Sequence, residues 1–476
     1  MQAAAHEVAQ VVAQVVATVP TDQPTVLVLV GGGNNGGDGL FAAAELAAHT
    51  HVVVALAAAP HTDGFAAAKA AGVDVVDMQH AGAFEHLATV AESAQVWVDA
   101  LTGLGARGAL RGTVARVVQT LTSVAADARV VAVDIPSGVD SDTGAAAGPV
   151  LKADITVTFG APKAGLLLPP GANLTGRVHV AGLGIDEHLD PTQALVTRLT
   201  ETDVTALWPI PGRTAHKYSR GVVALVAGSS TYPGAAVLAA GAAVRTGCGM
   251  VRYLGPRRPT DLVLSAWPEV VPVAGRAQAW VVGPGLDPQD LDQRDQAGQA
   301  ISTALADAIP LVIDAGGLTL VPEADQLTER PVLLTPHAGE LAALLSQRGE
   351  QLSREQVEAE PTRWAVHAAA ITGATVLLKG AVTVVAGAGE CYSQDDGTPW
   401  LATAGSGDVL AGILGALLAQ IATAQTSIAR VAALAVLVHG RAGRRASIAG
   451  PIGASDLLPA LPAVITDLVG AGRLAP

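Results

Sequence analysis

The chain has 476 residues, half of them apolar and only 3% aromatic, with a formal net charge of −14. That length predicts roughly two to four domains of about 100–200 residues each, and an acidic balance without a long Lys/Arg run excludes nucleic acid and anionic membrane surfaces as expected partners. No apolar run approaches the ~20 residues of a membrane span, so a cytoplasmic location is expected; Cys248 and Cys391 supply no disulfide framework or zinc spacing and read as small buried residues.

The opening stretch, MQAAAHEVAQVVAQVV, has amphipathic helical spacing without a basic region or continuous apolar core, and is not a signal peptide. Strand and helix signals then alternate. Val-rich runs end in glycine or an acid: TVLVLVGGG (25–33), HVVVALAA (51–58), QVWVDALTG (95–103) and ARVVAVDIPSG (128–138), followed by ADITVTFG and GRVHVAGLGI. Such runs, separated by Ala-rich helical stretches, predict buried parallel strands in a wound α/β sheet.

The first run opens into GGGNNGGDGLFAAAELAA. A strand, glycines and a helix start form a cradle for phosphate, because the backbone can approach and free amides face the anion. Gly31, Gly33 and Gly36 satisfy G-x-G-x-x-G. The second strand, however, ends in Ala-Ala-Ala-Pro where an ordinary dinucleotide fold requires an acid, which disfavours an NAD-dependent dehydrogenase. With no Gly-Lys pair in the chain, a P-loop is excluded. Asp99, Asp134 and Ser137 end further strands. Strand carboxyl ends converge on one crevice, so Asp38, Asp99 and Asp134 are expected to share a site with Asn34 and Asn35. An Asp after a strand also serves as a helix cap. Oxygen-only groups of this kind suit a hard cation.

GGGNNGGDGL, VDALTGLGARG, AVDIPSGVDSDTG and ADITVTFGAPKAGLL resemble, in this order, the motifs of the NAD(P)H-hydrate epimerase domain, over roughly residues 1–186. The resemblance implies a Rossmann-like αβα sandwich that interconverts the R and S forms of NAD(P)H hydrate. It implies contacts to the hydrated nucleotide from Asn34, Asn35, Gly36, Gly37 and Asp38, and from Gly103, Leu104, Gly105, Ala106, Arg107, Gly108 and Ala109. It implies a contact and a catalytic role for Asp134, and a potassium site on Asn35, Asp99 and Ser137. Leu104 stands where a small polar residue is more usual, and the family carries one more helix ahead of the position where this sequence begins.

From Asp186 to Lys217 the periodicity lapses into DEHLDPTQ and LWPIPGRTAHKYSRG. A first domain over 1–190, a linker and domain entry over 191–215, and a second domain over 216–476 are expected.

The alternation resumes with GVVALVAGSS (221–230), AWVVGPG (279–285), IPLVIDAGG (309–317), PVLLTPHAGE (331–340) and ATVLLKGAVTVVAG (374–387), then GSGDVLAGILGALLAQ (405–420). Gly405, Ser406 and Gly407 precede a long apolar helix, whose amides and dipole make an anion hole. Asp408 in its first turn can take a proton from an attacking hydroxyl, although an acid there also favours the positive helix end. Charge stabilisation and a positioned nucleophile are what phosphoryl transfer chiefly needs. His337 and Glu340 end a strand, where the histidine is either a ligand contact or structural. Lys379 and Gly380 lie in a turn between strands, able to flank a phosphate. No H-E-x-x-H or G-x-S-x-G occurs, which leaves zincin and serine-hydrolase chemistry without support.

HKYSRGVVALVAGSSTYPGAAVLAA, GPGL, TPHAGE, LLKGAVT and TAGSGDVLAG resemble the ribokinase-like superfamily, and within it the ADP-dependent NAD(P)H-hydrate dehydratase, over about residues 205–476. The resemblance implies a second αβα domain in which Ala235, Gly285, His337 and Asp408 contact the hydrated nicotinamide nucleotide. It implies that Lys379, Gly380, Ala381, Val382, Thr383 and Gly407 contact the adenine nucleotide, and that Asp408 is catalytic. Asp287 departs from the more usual G-P-G-L-G and is expected to alter only a turn. Both domains in this order resemble the bifunctional NAD(P)H-hydrate repair family: an isomerase and a lyase on one chain, acting on NADHX and NADPHX. K+, Mg2+ and ADP, with ATP as the other candidate donor, are the implied cofactors, and the chain is expected to form a homo-oligomer. The alternative is a ribokinase-like small-molecule kinase fused to a non-catalytic nucleotide-binding module, which would release a stable phosphoester where the repair enzyme releases free phosphate.

Overall fold

Seven parallel strands carry the first unit, Met1–Leu195, of a computed structural model that describes residues 1–21, 23–421 and 426–470, and the side chains of all of these except Asp186 and Pro191. They are β1 (Thr25–Val30), β2 (His51–Leu56), β3 (Asp74–Asp77), β4 (Val96–Ala100), β5 (Arg129–Val133), β6 (Ile155–Phe159) and β7 (Arg177–Ala181). Their order is β3-β2-β1-β4-β5-β6-β7. Val26 to Val30 are wholly buried, without alternation, because helices cover both faces of the sheet. Gln2–Val16 and Gly33–Leu46 pack on one face, Ala83–Ser93 and Gly112–Thr122 on the other. The strand order reverses at β1, with β2 on one side and β4 on the other, which opens a crevice at their carboxyl ends.

The second unit is Val196–Pro476. Its strands are β8 (Val222–Val226), β9 (Met250–Tyr253), β10 (Ala279–Val282), β11 (Leu311–Ile313), β12 (Val332–Leu334), β13 (Thr375–Leu378), β14 (Thr383–Gly387) and β15 (Glu390–Gln394). They are ordered β15-β14-β13-β12-β11-β10-β8-β9. Six are parallel, and an antiparallel pairing adds β14 and β15 at one edge. The short strands β3, β9 and β15 give no strong sequence signal. Helices Pro233–Thr246, Ser406–Ile421, Ile428–Ala446 and Leu457–Val469 build the core over one face. Leu291–Ala306, Ala338–Ser346 and Pro361–Thr372 cover the other. Ala and Gly dominate where helices meet because there is no room for more: a Cβ on Gly412 would run into the Ala239 carbonyl.

The stretch expected as linker over 191–215 belongs mostly to the second unit. Thr197 pairs beside Tyr392 at the sheet edge, and helix Glu201–Leu207 starts on a capping box of Thr200 and Asp203. Leu199, Val204 and Trp208 are buried in the second core, and this apolar anchoring sets the boundary at 195/196. Residues 422–425 and 471–476 of the expected second domain lie outside the described residues. No single helix among the described residues is long and apolar enough to cross a membrane. Both cysteines are free, and burial pushes the Cys248 thiol up to about 12 and the Cys391 thiol up to about 11, in keeping with a packing role.

Candidate active sites

In the first unit the cradle is shorter than the glycine run suggests. The helix begins at Gly33, so the loop is Gly31 and Gly32, and Asn34 to Asp38 occupy the first turns of the helix. A Cβ on Gly31 would run into the Leu101 carbonyl, and one on Gly36 into the carbonyl of Gly31. These glycines let β1, its helix and the loop after β4 approach closely. Gly37 packs against His61. Asn34 is exposed, while Asn35 and Asp38 are buried.

The structure brings Asn35, Asp99 and Ser137 together through the loop after β4. Asn35 Nδ2 donates to the Thr102 carbonyl at 2.8 Å, and the Thr102 amide donates to Ser137 Oγ at 2.9 Å. Ser137 donates its hydroxyl to Asp99 Oδ1 at 2.6 Å and its amide to Oδ2 at 2.8 Å, and the Leu101 amide reaches Oδ1 at 3.3 Å. Asp99 has no exposed surface, and none of the described ion pairs reaches it. Burial pushes its carboxyl up, against the Ser137 and Leu101 hydrogen bonds. Thr102 Oγ1 is buried without a hydrogen-bond partner. A buried carboxylate and an unpartnered oxygen in an oxygen-only cluster fit a hard monovalent cation.

Asp134 follows β5 with φ 65°, in the left-handed region that non-glycine residues rarely adopt. Its Oδ1 accepts from Lys163 Nζ at 2.6 Å and Thr158 Oγ1 at 3.0 Å. Asp38 lies near enough to feel the Asp134 charge; burial first, and Asp134 in support, push Asp38 up to about 6 against the pull of the amino terminus and His61. Of the loop Gly103 to Ala109, Gly103 packs on Asn35, while Leu104 is exposed. Arg107 ties the loop to the segment after β5, with Nη1 3.0 Å from Ser141 Oγ and Nη2 2.6 Å from Asp142 Oδ2.

In the second unit the expected residues converge at the carboxyl ends of β8, β10, β11, β12 and β13. A Cβ on Gly285, whose φ is +63°, would lie 2.5 Å from that of Ala235, so these two lie side by side. Asp408 lies in the first turn of helix Ser406–Ile421. A Cβ on Gly407 would lie 3.6 Å from Lys379 Nζ. Lys379 donates to Asp314 Oδ1 at 2.8 Å and pairs with Glu340 at 3.6 Å, while Thr335 Oγ1 donates to the same Asp314 oxygen at 2.8 Å. Burial opposes the charge on Lys379, yet Asp314, Glu340 and Asp408 outweigh it and hold the ammonium above its usual range. Burial, then the Asp314 carboxylate, push Asp408 up to about 7 against Lys379.

His337 caps helix Ala338–Ser346: its Nδ1 accepts from the Glu340 amide at 3.1 Å, and Glu340 Oε2 accepts from the His337 amide at 2.8 Å. The ring is otherwise exposed, so the structural role expected as one alternative is present and leaves Nε2 beside Glu340 at the surface. Gly380 and Ala381 are exposed in the turn, whereas the Val382 and Thr383 side chains are buried as β14 begins. Asp287 accepts from the Gln289 amide at 3.0 Å and from Thr231 Oγ1 at 3.1 Å, which fixes the turn it alters.

Four residues outside the sequence-derived set complete these sites. Lys163 and Thr158 sit around Asp134, and Asp314 joins Lys379 to the Asp408 neighbourhood. The fourth, His439, is buried in helix Ile428–Ala446, with Nε2 3.1 Å from the Ser406 carbonyl and 3.3 Å from Ser406 Oγ. A carbonyl only accepts, so Nε2 carries the proton; burial pushes His439 down to about 4 and keeps it neutral. Asp314 was open to the same strand-end rule that selects Asp99 and Asp134.

Residues 223–458 match the family model described as NAD(P)H-hydrate dehydratase, and residues 1–165 the one described as YjeF-related protein N-terminus. A bifunctional NAD(P)H-hydrate repair enzyme of Mycobacterium tuberculosis is 41% identical over 409 residues, 83% of this chain and 78% of that one. One of Moorella thermoacetica is 34% identical over 490 residues, 93% of this chain and 88% of that one. Among solved structures, a ribokinase-like superfamily protein of Enterococcus faecalis aligns with a TM-score of 0.50 at 24% identity, over 59% of this chain and 99% of that one, a likeness of fold.

Proposed function

The chain belongs to the family of bifunctional NAD(P)H-hydrate repair enzymes, and we propose how its own residues divide that work. The first unit epimerises R- and S-NAD(P)H hydrate, and the second dehydrates the S form to NAD(P)H at the expense of ADP. Asp408 takes the proton of the C6 hydroxyl, whose oxygen attacks the terminal phosphoryl of ADP; AMP leaves. The C6–O bond then breaks, C5 loses a proton, and NAD(P)H and phosphate are released. Phosphate is a far better leaving group than hydroxide, which is why the nucleotide is consumed.

The observation that carries this reading is Asp408, poised near neutrality at a glycine-lined helix start with Lys379 alongside. The amides of Gly405 to Asp408 receive the phosphoryl charge as it develops. Lys379 and the exposed Gly380–Ala381 turn bind the adenine nucleotide, with Val382 and Thr383 contributing through backbone. Ala235, Gly285 and His337 line the hydrate side. Among the described residues no three His, Cys, Asp or Glu side chains form a metal cage, so Mg2+ fits here as an ion carried by nucleotide phosphates, where it would supply charge neutralisation. In the first unit Asn34 to Asp38 and Gly103 to Ala109 hold the hydrated nucleotide, with Asp134 catalytic, and Asn35, Asp99 and Ser137 hold K+, which would supply a counter-charge for the buried Asp99. A cytoplasmic homo-oligomer acting on NADHX and NADPHX belongs to the same reading; light scattering of the purified chain tests the assembly.

Adding ADP, and separately ATP, to a mixture of both hydrate epimers tests the function. Full recovery of reduced-nicotinamide absorbance, with one free phosphate per turnover, is expected. A stable phosphoester without that absorbance identifies a small-molecule kinase instead.

A further inference from the structure

Epimerising the carbinolamine carbon by ionisation breaks the C6–OH bond and re-forms it on the opposite ring face. The departing hydroxyl collects a proton, and the N1 electron pair makes a C6–N1 iminium. Water then adds to the other face and loses a proton. Two groups in opposite protonation states meet this need.

The first crevice holds two carboxyls in unlike settings. Lys163 Nζ is 2.6 Å from Asp134 Oδ1, 3.0 Å from Thr158 Oγ1 and 2.8 Å from the Phe159 carbonyl, which places all three ammonium protons. Thr158 donates to the same Asp134 oxygen. Both partners therefore sit on Oδ1, and no described hydrogen bond or ion pair reaches Asp134 Oδ2, nor is that atom among the sealed, unpartnered ones. It is open to a ligand. The left-handed backbone at Asp134 is a local strain maintained by these contacts. Asp38 is only 8% exposed, and its Oδ1 is buried without any partner. The charged groups acting on it are Asp134, His61 and the Met1 amino group.

We propose that Asp38 in its acid form protonates the departing C6 hydroxyl, that Asp134 through Oδ2 takes a proton from the water returning on the other face, and that Lys163 is the positioning residue that holds Asp134 for this task. The inference rests on the first unit being the epimerase. After one turnover Asp38 is the carboxylate and Asp134 the acid, the pair that the reverse epimerisation requires; exchange with solvent restores the start. Burial supports the acid form of Asp38, pushing it up to about 6. All protons of Lys163 are taken up by protein oxygens, so it acts through Asp134 and does not touch the substrate.

The test uses the full chain without ADP, so that dehydration is silent, and separates the hydrate epimers by chromatography. D38N and D134N should each slow interconversion by at least about a hundredfold, while S-hydrate dehydration with ADP stays at the wild-type rate. K163M should lower kcat with KM for the hydrate unchanged. In the wild type, oxygen-labelled water should enter the C6 hydroxyl at the rate of epimerisation, and the rate should fall as pH rises through about 6, where Asp38 loses its proton. Epimerisation within tenfold of wild type in D38N overturns the proposal. So does retention of the original oxygen while epimers interconvert, a result that needs no variant to fold. If the wild-type chain fails to interconvert the epimers at all, the epimerase assignment itself is wrong.

Discussion

The two crevices lie at the carboxyl ends of parallel sheets, yet they hold their carboxylates by opposite means. In the first unit Lys163 pairs with Asp134 alone, and Asp99 is enclosed by hydrogen bonds with no cation among its described partners. In the second, Lys379 serves Asp314 and Glu340 directly and Asp408 at longer range. Burial first, then the Asp314 carboxylate, push Asp408 up to about 7 against a lysine that also serves Asp314 and Glu340, so it can accept a proton in neutral solution. On the reading proposed above, the same layered architecture serves removal of a proton from a hydroxyl in the second unit and, beside the Asp38–Asp134 pair, an enclosed counter-ion site in the first. The difference lies in burial and neighbouring charge: Asp314 raises Asp408, whereas Asp134 has Lys163 to itself.

Removing the under-compensated acid should produce the largest effect. D408N is expected to lower dehydration by about a thousandfold, with epimerisation untouched, as read by reduced-nicotinamide absorbance and epimer chromatography. Dehydration surviving within tenfold would move the base elsewhere and dissolve the contrast between the crevices.

The same carboxyl opposes stability. A folded pKa of about 7 exceeds the ordinary carboxyl value of 3.8, so the contribution of Asp408 is fully present below 3.8 and is lost as pH rises through 7. His439 runs the other way: its folded value of about 4 lies below 6.5, so its contribution is present above 6.5 and is lost as pH falls through 4. Asp408 is worth on the order of 4 kcal/mol and His439 on the order of 3 kcal/mol, and in the wild type they partly offset. D408N removes the opposing carboxyl and uncovers the histidine's contribution. Denaturant melts of D408N should lose on the order of 3 kcal/mol between neutral pH and about pH 4, and adding H439Q should flatten that slope. An unchanged slope would mean His439 is not held neutral beneath Ser406.

Much of this arrangement is legible in the sequence because strand-end acids and glycine-rich helix starts obey simple geometry. Asp99, Asp134 and Asp408 end Val-rich runs or open an apolar helix, and each stands where that pattern puts it. Lys163 is not legible in that way: a lysine after a strand and a short loop looks like a surface residue until Asp134 is seen 2.6 Å away. His439 lies among Ala, Val and Leu in a helix, and only the tertiary approach of Ser406 gives it a partner. The entry to the second unit is hidden in the sequence because Pro209 and Pro211 look like linker, although Leu199, Val204 and Trp208 just before them are core.

Glycines sharpen the comparison further. Gly31 is required by packing, since a Cβ there meets backbone, whereas a Cβ on Gly407 meets only the end of the Lys379 side chain at 3.6 Å. Gly31→Ala should destabilise the first unit by about 2 kcal/mol. Gly407→Ala should leave stability within about 0.5 kcal/mol and instead weaken ADP use. Amide hydrogen exchange, which reads each unit through its own peptides, checks both. Equal destabilisation by the two substitutions would show that Gly407 is a packing residue too.

The smallest expected effect belongs to the enclosed carboxylate. Asp99 is fully buried and satisfied only by neutral donors, so its negative charge lacks a counter-ion unless one is bound. If K+ fills that need on Asn35, Asp99 and Ser137, stabilisation follows mass action: about 1.4 kcal/mol when the ion is at roughly ten times its dissociation constant. Raising potassium at constant ionic strength, with choline replaced stepwise, should therefore slow hydrogen exchange in the first unit and leave the second unchanged. D99N keeps the shape of the side chain and removes the charge. It relieves the uncompensated buried charge but sets an amide N–H opposite one of the donors that Asp99 accepts from, and it should ignore the ion. A wild-type response to potassium that persists in D99N would place the ion elsewhere. No response in either would mean that Asp99 folds as a neutral acid hydrogen-bonded to Ser137.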